Sequence, residues 1–168
     1  PKHGAVLLKV MGKHTKLRET FEAEYAWINN FNLRRNSRLV HRQGRVIQTK
    51  NCSGGAKVGW LGKRPDNCLE FRDVYAYTSG TYRLTISYMC KRKSSVKICV
   101  NNKDTVLRNL HSGSRSKVAD ITINVSINKG YNTICFSNPK EHLPDFDKIH
   151  LNLNDIPYLM ANSSANTK

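Results

Sequence analysis

Between Gly80 and Tyr88 the chain reads Gly-Thr-Tyr-Arg-Leu-Thr-Ile-Ser-Tyr, with Tyr82, Leu84, Ile86 and Tyr88 at every second position. A strand turns successive side chains to opposite faces, so this spacing specifies one buried and one wetted face. The same period recurs at Val96, Ile98 and Val100, after a turn over Lys91 to Ser95, and at Ile121, Ile123, Val125 and Ile127. Asn101-Asn102 closes one strand with a turn, and Lys129-Gly130 turns the chain into Asn132 to Phe136. Further strands are expected at Ala5 to Val10, Thr20 to Ala26, Val46 to Gln48 and Leu69 to Val74. No segment has a convincing helical period. The expected fold is all-β, with antiparallel strands in two packed sheets, each with one wet face.

A chain of 168 residues suits one domain with a proper core. Its 28 Lys and Arg against 12 Asp and Glu give a net charge of +16, so nucleic acid, anionic lipid and acidic polymers must be weighed as partners. The densest basic groups are Arg34, Arg35, Arg38, Arg42 and Arg45, and Lys91 to Lys93. They show no zinc-finger spacing, no basic region running into heptads and no aromatic-basic signature of an RNA reader, which argues against nucleic acid. They read as solvated faces and loop tips. No apolar run reaches the ~20 residues that span a bilayer as a helix, so no membrane partner is expected. The start at Pro1 reads as a processed product or a fragment of something larger.

Five cysteines, Cys52, Cys68, Cys90, Cys99 and Cys135, include no CxxC pair, which gives zinc and thioredoxin-type chemistry poor support. Cys90 and Cys99 flank an expected hairpin turn; they either bridge or fill a core as thiols. Three long connections, Asn29 to Gly44, Asn51 to Asp66 and Ser137 to Asp145, are where a rigid sandwich would place binding residues. The segment Ala161 to Lys168 is small and polar and is expected to be disordered.

Acidic residues are scarce, yet Glu22 and Glu24 stand at i and i+2 in Phe21-Glu-Ala-Glu-Tyr-Ala26. In a strand they would share one face, opposite Phe21, Ala23 and Tyr25, and with Asp147 brought alongside would supply the carboxylates of a calcium site. The alternative is that both glutamates face solvent. Catalysis lacks the residues it needs. Glycoside hydrolysis requires two placed carboxylates, and Asp66, Glu70 and Asp73 are not arranged as such a pair by any motif. There is no nucleophile elbow, HExxH helix or P-loop; Ser53-Gly54-Gly55 lacks the Lys-Ser/Thr that a P-loop needs.

Six segments in order, Phe-Glu-Ala-Glu-Tyr-Ala at 21–26, Cys-Ser-Gly-Gly-Ala-Lys-Val-Gly-Trp-Leu at 52–61, Ser-Gly-Thr-Tyr-Arg-Leu-Thr-Ile-Ser-Tyr at 79–88, Val-Asn-Asn at 100–102, Lys-Gly-Tyr-Asn-Thr-Ile at 129–134 and Asp-Phe-Asp-Lys-Ile at 145–149, resemble the landmarks of carbohydrate-binding modules of families 6 and 35. Pro1 to Val10 resembles the last strand of the β domain that follows the catalytic barrel in family 27 glycoside hydrolases, the α-galactosidase group. The resemblance implies a calcium-stabilised jelly-roll β-sandwich over 20–155. It is preceded by an end strand of another β domain at 1–12 and a linker at 13–19, and followed by a tail at 156–168. It implies a non-catalytic module that targets a secreted or periplasmic glycosidase, in the same parent chain, to galactose-bearing polysaccharide.

The structural calcium would be held by Glu22, Glu24 and Asp147 with backbone carbonyls. The sugar site would lie in loops at one end of the sandwich, built on Trp60 and Asp145 and flanked by Lys57 and Arg115. The second aromatic of the family pattern is missing: His111 to Lys117 offers no Trp or Tyr, only Arg115 and its neighbours. Either the ligand differs, an acidic sugar met by Arg115 or Lys57, or the module is a polyanion-binding or spacer sandwich that has lost sugar binding.

Overall fold

The computed structural model describes residues 17–29 and 43–153. Eleven strands are described there: β1 (Thr20–Glu22), β2 (Trp27–Asn29), β3 (Arg45–Gln48), β4 (Ala56–Gly59), β5 (Cys68–Ala76), β6 (Gly80–Met89), β7 (Ser94–Val100), β8 (Lys103–Leu110), β9 (Ala119–Ile127), β10 (Gly130–Ser137) and β11 (Asp145–Leu151). One sheet runs β3-β4-β11-β6-β9 with β1 also on β11, the other β2-β5-β10-β7-β8. Every strand pairing is antiparallel. The all-β expectation holds, and the two sheets enclose one core. Phe136 and Phe146, from different sheets, meet at its centre with ring centroids 4.8 Å apart. Around them the alternating residues Leu84, Ile86, Ile98, Ile127, Ile134 and Ile149 are buried. Burial of aliphatic side chains at ~25 cal/mol per Å² is the main force holding the layers together.

The strand expected over Thr20 to Ala26 is interrupted. Ala23–Tyr25 is a single 3-10 turn, after which the chain crosses from the six-stranded sheet into the five-stranded one. Phe21 and Ala23 are buried as expected, but Tyr25 is exposed rather than on their face. Lys91 to Ser95 is likewise no hairpin turn. β6 and β7 belong to different sheets, so Cys90 and Cys99 end up on separate layers, and all five cysteines are free thiols. The strand expected at Ala5 to Val10, Arg34 to Arg42, the tail 161–168 and the segments 1–12 and 156–168 lie outside the described residues.

Asparagines fix the turns. Asn101 and Asn102 take the left-handed conformation (φ 46° and 70°) between β7 and β8, a conformation asparagine accepts more readily than most residues. Asn132, buried before a register shift in β10, donates its amide to the carbonyls of Val74 (3.1 Å), Asn128 (2.9 Å) and Gly130 (3.0 Å).

β1 lies directly on β11, with Thr20 opposite His150, Phe21 opposite Ile149 and Glu22 opposite Lys148. The first and last described strands of this sheet are therefore neighbours, which carries Glu22 toward Asp147.

Candidate functional site

Trp60 follows β4 in a backbone with φ 63°, a left-handed conformation that costs a bulky residue on the order of 1–3 kcal/mol. Its ring is held out at the end of the sandwich, 37% exposed, with the Arg45 guanidinium 5.0 Å from the ring centroid. The loop beneath is organised by Asn67, which is buried. Its amide donates to the carbonyls of Trp60 (2.8 Å) and Gly62 (2.9 Å), and its oxygen accepts the Gly44 N–H at 2.9 Å. Gly62 N–H closes the loop onto the Asn67 carbonyl at 2.8 Å.

Trp60, Arg115, His142, Leu143 and Asp145 line one small hollow of about 50 Å³. Beside it, sharing Arg115, His142, Leu143 and Asp145, opens a cleft of about 570 Å³ whose lining also carries Lys91, Arg92, Lys93 and Glu141. The first three side chains are exposed. A ring platform thus stands next to a cationic trough.

Lys57 takes a different place from the one expected at the rim. It is 7% exposed and sits behind Asp145, its ammonium 2.8 Å from Asp145 Oδ2, 2.8 Å from the Arg115 carbonyl it donates to, and 3.6 Å from Met89 Sδ. It orients the carboxylate and anchors the Arg115 loop instead of facing a ligand. Gly59 permits this arrangement, since a Cβ there would stand 2.6 Å from Asp145 Oδ1. Trp60, Asp145 and Arg115 are brought together; Asn67, His142 and Leu143 were not singled out from the sequence, and Arg45 was named only as part of a basic group.

A second cluster lies where β1 meets β11. Ser53 donates to Glu22 Oε1 at 2.8 Å, while Glu22 Oε2, Glu24 Oε2 and Asp147 Oδ1 are buried oxygens with no hydrogen-bond donor. Asp147 is 3% exposed, and its carboxyl is pushed up to about 6, by burial first and by the nearby Glu22 and Glu24 charges, against the lowering effect of Lys148. A Cβ on Gly54, which has φ +64°, would meet Glu24 Oε1 at 2.3 Å. The strand-face geometry expected for Glu22 and Glu24 is replaced by one residue on β1 and one on the 3-10 turn.

Buried carboxylate oxygens without donors, repelling one another, have the chemistry of a hard-cation site. Among the described residues, however, no three His, Cys, Asp or Glu side chains form a metal-holding group by themselves. The three carboxylates are a partial set that carbonyls or water would have to complete. The orphaned oxygens carry more weight, because calcium cages draw several of their six to eight oxygens from outside side chains.

Two of the acids weighed for catalysis are engaged elsewhere. Asp66 is paired with Arg64, and Glu70 with Arg72, both within two residues on the same strand or loop.

No protein-family model and no curated protein sequence matches the chain. Solved structures do. A family 35 carbohydrate binding module from Clostridium thermocellum superposes with a TM-score of 0.69 at 25% identity, over 79% of this chain and 96% of that one. The module from Paenibacillus barcinonensis gives 0.64 at 22% identity, over 79% and 97%. An exo-β-1,3-galactanase from Phanerochaete chrysosporium gives 0.65 at 20% identity, over 79% of this chain but 28% of the enzyme. The fold is therefore the jelly-roll sandwich of such modules.

Proposed function

We propose that this chain is a non-catalytic carbohydrate-binding module that docks a sugar at the end of the sandwich. The observation that carries this reading is the hollow in which Trp60, Arg115 and Asp145 converge. The indole covers the apolar C–H face of a pyranose, and the Asp145 carboxylate, oriented by Lys57, accepts from sugar hydroxyls. The likeness to family 35 modules, over 79% of this chain, supports the same conclusion. With one ring, binding is weak, with a Kd on the order of 0.1–1 mM. Such a module raises the effective concentration of an attached glycosidase near its polysaccharide. A galactose-bearing glycan, acted on by an α-galactosidase-like partner domain outside the cell, is the first ligand class to test.

The cationic wall beside the ring favours sugars carrying an anionic group, met by Arg115 and the Lys91 to Lys93 run. Glu22, Glu24 and Asp147 would hold a structural calcium, which would neutralise their mutual repulsion and tie β1 to β11. Its role would be to stabilise the edge, not to take part in chemistry.

A glycan array with neutral and acidic sugars, repeated with chelator and at raised salt, tests the reading. Binding that persists in salt marks ring stacking; binding that collapses marks a polyanion surface. Absence of any glycan ligand would leave a spacer. Affinity unchanged in Trp60→Ala would move the site to the exposed Trp27 and Tyr131 of the five-stranded sheet and Tyr77 just after β5.

A further inference from the structure

Cys99 on β7 and Cys135 on β10 are directly opposite each other in the five-stranded sheet. Their neighbours show which way they point. Ile98 and Val100 on one strand, and Ile134 and Phe136 on the other, are buried in the core, so both thiols stand on the outer face, where each is partly exposed. Opposite residues of an antiparallel pair share a face and touch across it.

Local hydrogen bonding sets how far apart the two strands run here. Asn101 N–H bonds the Thr133 carbonyl at 3.2 Å, which marks those opposed residues as a hydrogen-bonded pair. Such pairs alternate with non-hydrogen-bonded ones, and the register from Val100 to Lys97 is unbroken. Cys99 and Cys135 are therefore a hydrogen-bonded pair again, with Cα atoms about 5.5 Å apart. Disulfides have Cα atoms usually about 4.4–6.8 Å apart, so this pair is within reach.

None of the other three cysteines is so placed. On its second side Cys135 is opposite Glu70 of β5, and Cys68, two residues earlier, is opposite Asn29 of β2. A diagonal neighbour of that kind has its Cα about 7–8 Å away, beyond ordinary disulfide reach. Cys52 and Cys90 flank strands of the six-stranded sheet.

We propose that Cys99 and Cys135 are a redox latch, closed into a cross-strand disulfide by exchange with a small disulfide such as oxidised glutathione. The thiolate of one cysteine attacks a glutathione sulfur, the S–S bond of the oxidant breaks and one glutathione thiolate leaves. The second cysteine then attacks the protein sulfur of the mixed disulfide and expels the other glutathione. The two protons lost by the cysteines end on the two glutathiones. The balance is two cysteines and one oxidised glutathione to one protein disulfide and two reduced glutathiones.

The latch sits on the seam that holds the edge hairpin. The order β2-β5-β10-β7-β8 joins β7 and β8 to the rest of their sheet only through β10, and the β10–β7 register runs over four residue pairs. β8 is exposed along most of its length and adds little packing. A covalent link within the seam fastens both strands. Opposite side chains have Cβ atoms about 4.5–5.5 Å apart, more than the roughly 3.5–4.5 Å of a disulfide, so closure draws the strands inward. A bond made under such tension is readily reduced, which makes the latch reversible.

The test uses the full 168-residue chain, equilibrated in glutathione buffers from fully reduced to fully oxidised. Remaining thiols are capped with N-ethylmaleimide and peptides are mapped without reduction. The expected product at the oxidised end is one Cys99–Cys135 linkage, removed by dithiothreitol, with Cys52, Cys68 and Cys90 capped. Amide exchange in β8 should be slower in the oxidised protein, and in Cys99→Ser it should no longer respond to the buffer. Capping of all five thiols at the oxidised end, a stable glutathione adduct in place of the linkage, or a linkage that includes Cys68 overturns the proposal. So does β8 exchange that is the same in the oxidised and reduced wild type. The wild-type map and exchange decide the outcome even if the serine variant folds poorly.

Discussion

The Asn67 side chain grips the Trp60 carbonyl at 2.8 Å, so the residue that presents the ring is held by a buried amide seven positions later. The same amide holds Gly62, and its oxygen holds Gly44. Replacing Asn67 with Ala removes these bonds at a buried site and leaves backbone groups unpaired, a cost of about 2–4 kcal/mol. The Tm should fall and sugar affinity should fall with it. Asn67→Ala with unchanged binding in a calorimetric titration would show that Trp60 keeps its place unaided.

Trp60→Ala should reduce glycan binding below detection, because it removes the ring from the hollow. Asp145→Ala should weaken binding about tenfold by leaving sugar hydroxyls unpaired. Lys57→Met should also weaken it, through a carboxylate released from its 2.8 Å partner. Trp60→Ala should keep the fold, readable as an unchanged far-ultraviolet spectrum.

Calcium should raise the Tm. At a free concentration one hundred times the Kd, linkage gives ~2.7 kcal/mol, roughly 5–10 °C for a domain of this size. Glu24→Gln and Gly54→Ala should each shrink the shift, the second because its Cβ collides with Glu24 Oε1 in a left-handed backbone. A full calcium shift in both variants would place any ion elsewhere.

The Asp147 carboxyl, raised to about 6 in the folded protein, gives the metal-free chain a distinct pH dependence. A carboxylate whose folded value is raised binds its proton more tightly folded than unfolded, so stability falls as pH rises from about 4 to about 6. Above that window the penalty is constant; below it the penalty vanishes. Chelator-treated protein should lose stability across this range relative to Asp147→Asn, and calcium should flatten the difference. Parallel denaturation midpoints for the two proteins from pH 4 to 7 would refute the assignment.

Strands with one wet face were legible because alternation is a direct image of burial: β6, β7, β9 and β10 follow it. β4 was not legible, since Ala56–Gly59 is buried at every position and has no polar face. β8 was hidden for the opposite reason, as an edge strand exposed along most of its length. Periodicity also cannot distinguish a hairpin from a crossing between layers, which is why Lys91 to Ser95 read as a hairpin turn and a Cys90–Cys99 bridge stayed open as one alternative. In the site, Trp60, Asp145 and Arg115 came from motif resemblance. The burial of Lys57 depends on contacts with residues distant in sequence, and the grip of Asn67 on how a short loop closes, neither of which a hydrophobic period encodes.

The pairing of β1 with β11 also sets a polarity. Leu151 N–H bonds the Glu19 carbonyl at 2.8 Å, so the first and last described residues of the sandwich lie at the same corner. Asp145 begins β11 and Leu151 ends it, and a strand of that length spans roughly 20 Å. The ring hollow and that corner are thus opposite poles. Between Leu17 and Leu153 the two ends of the described sandwich therefore share one corner, and the far pole, with its ring hollow, faces away from it.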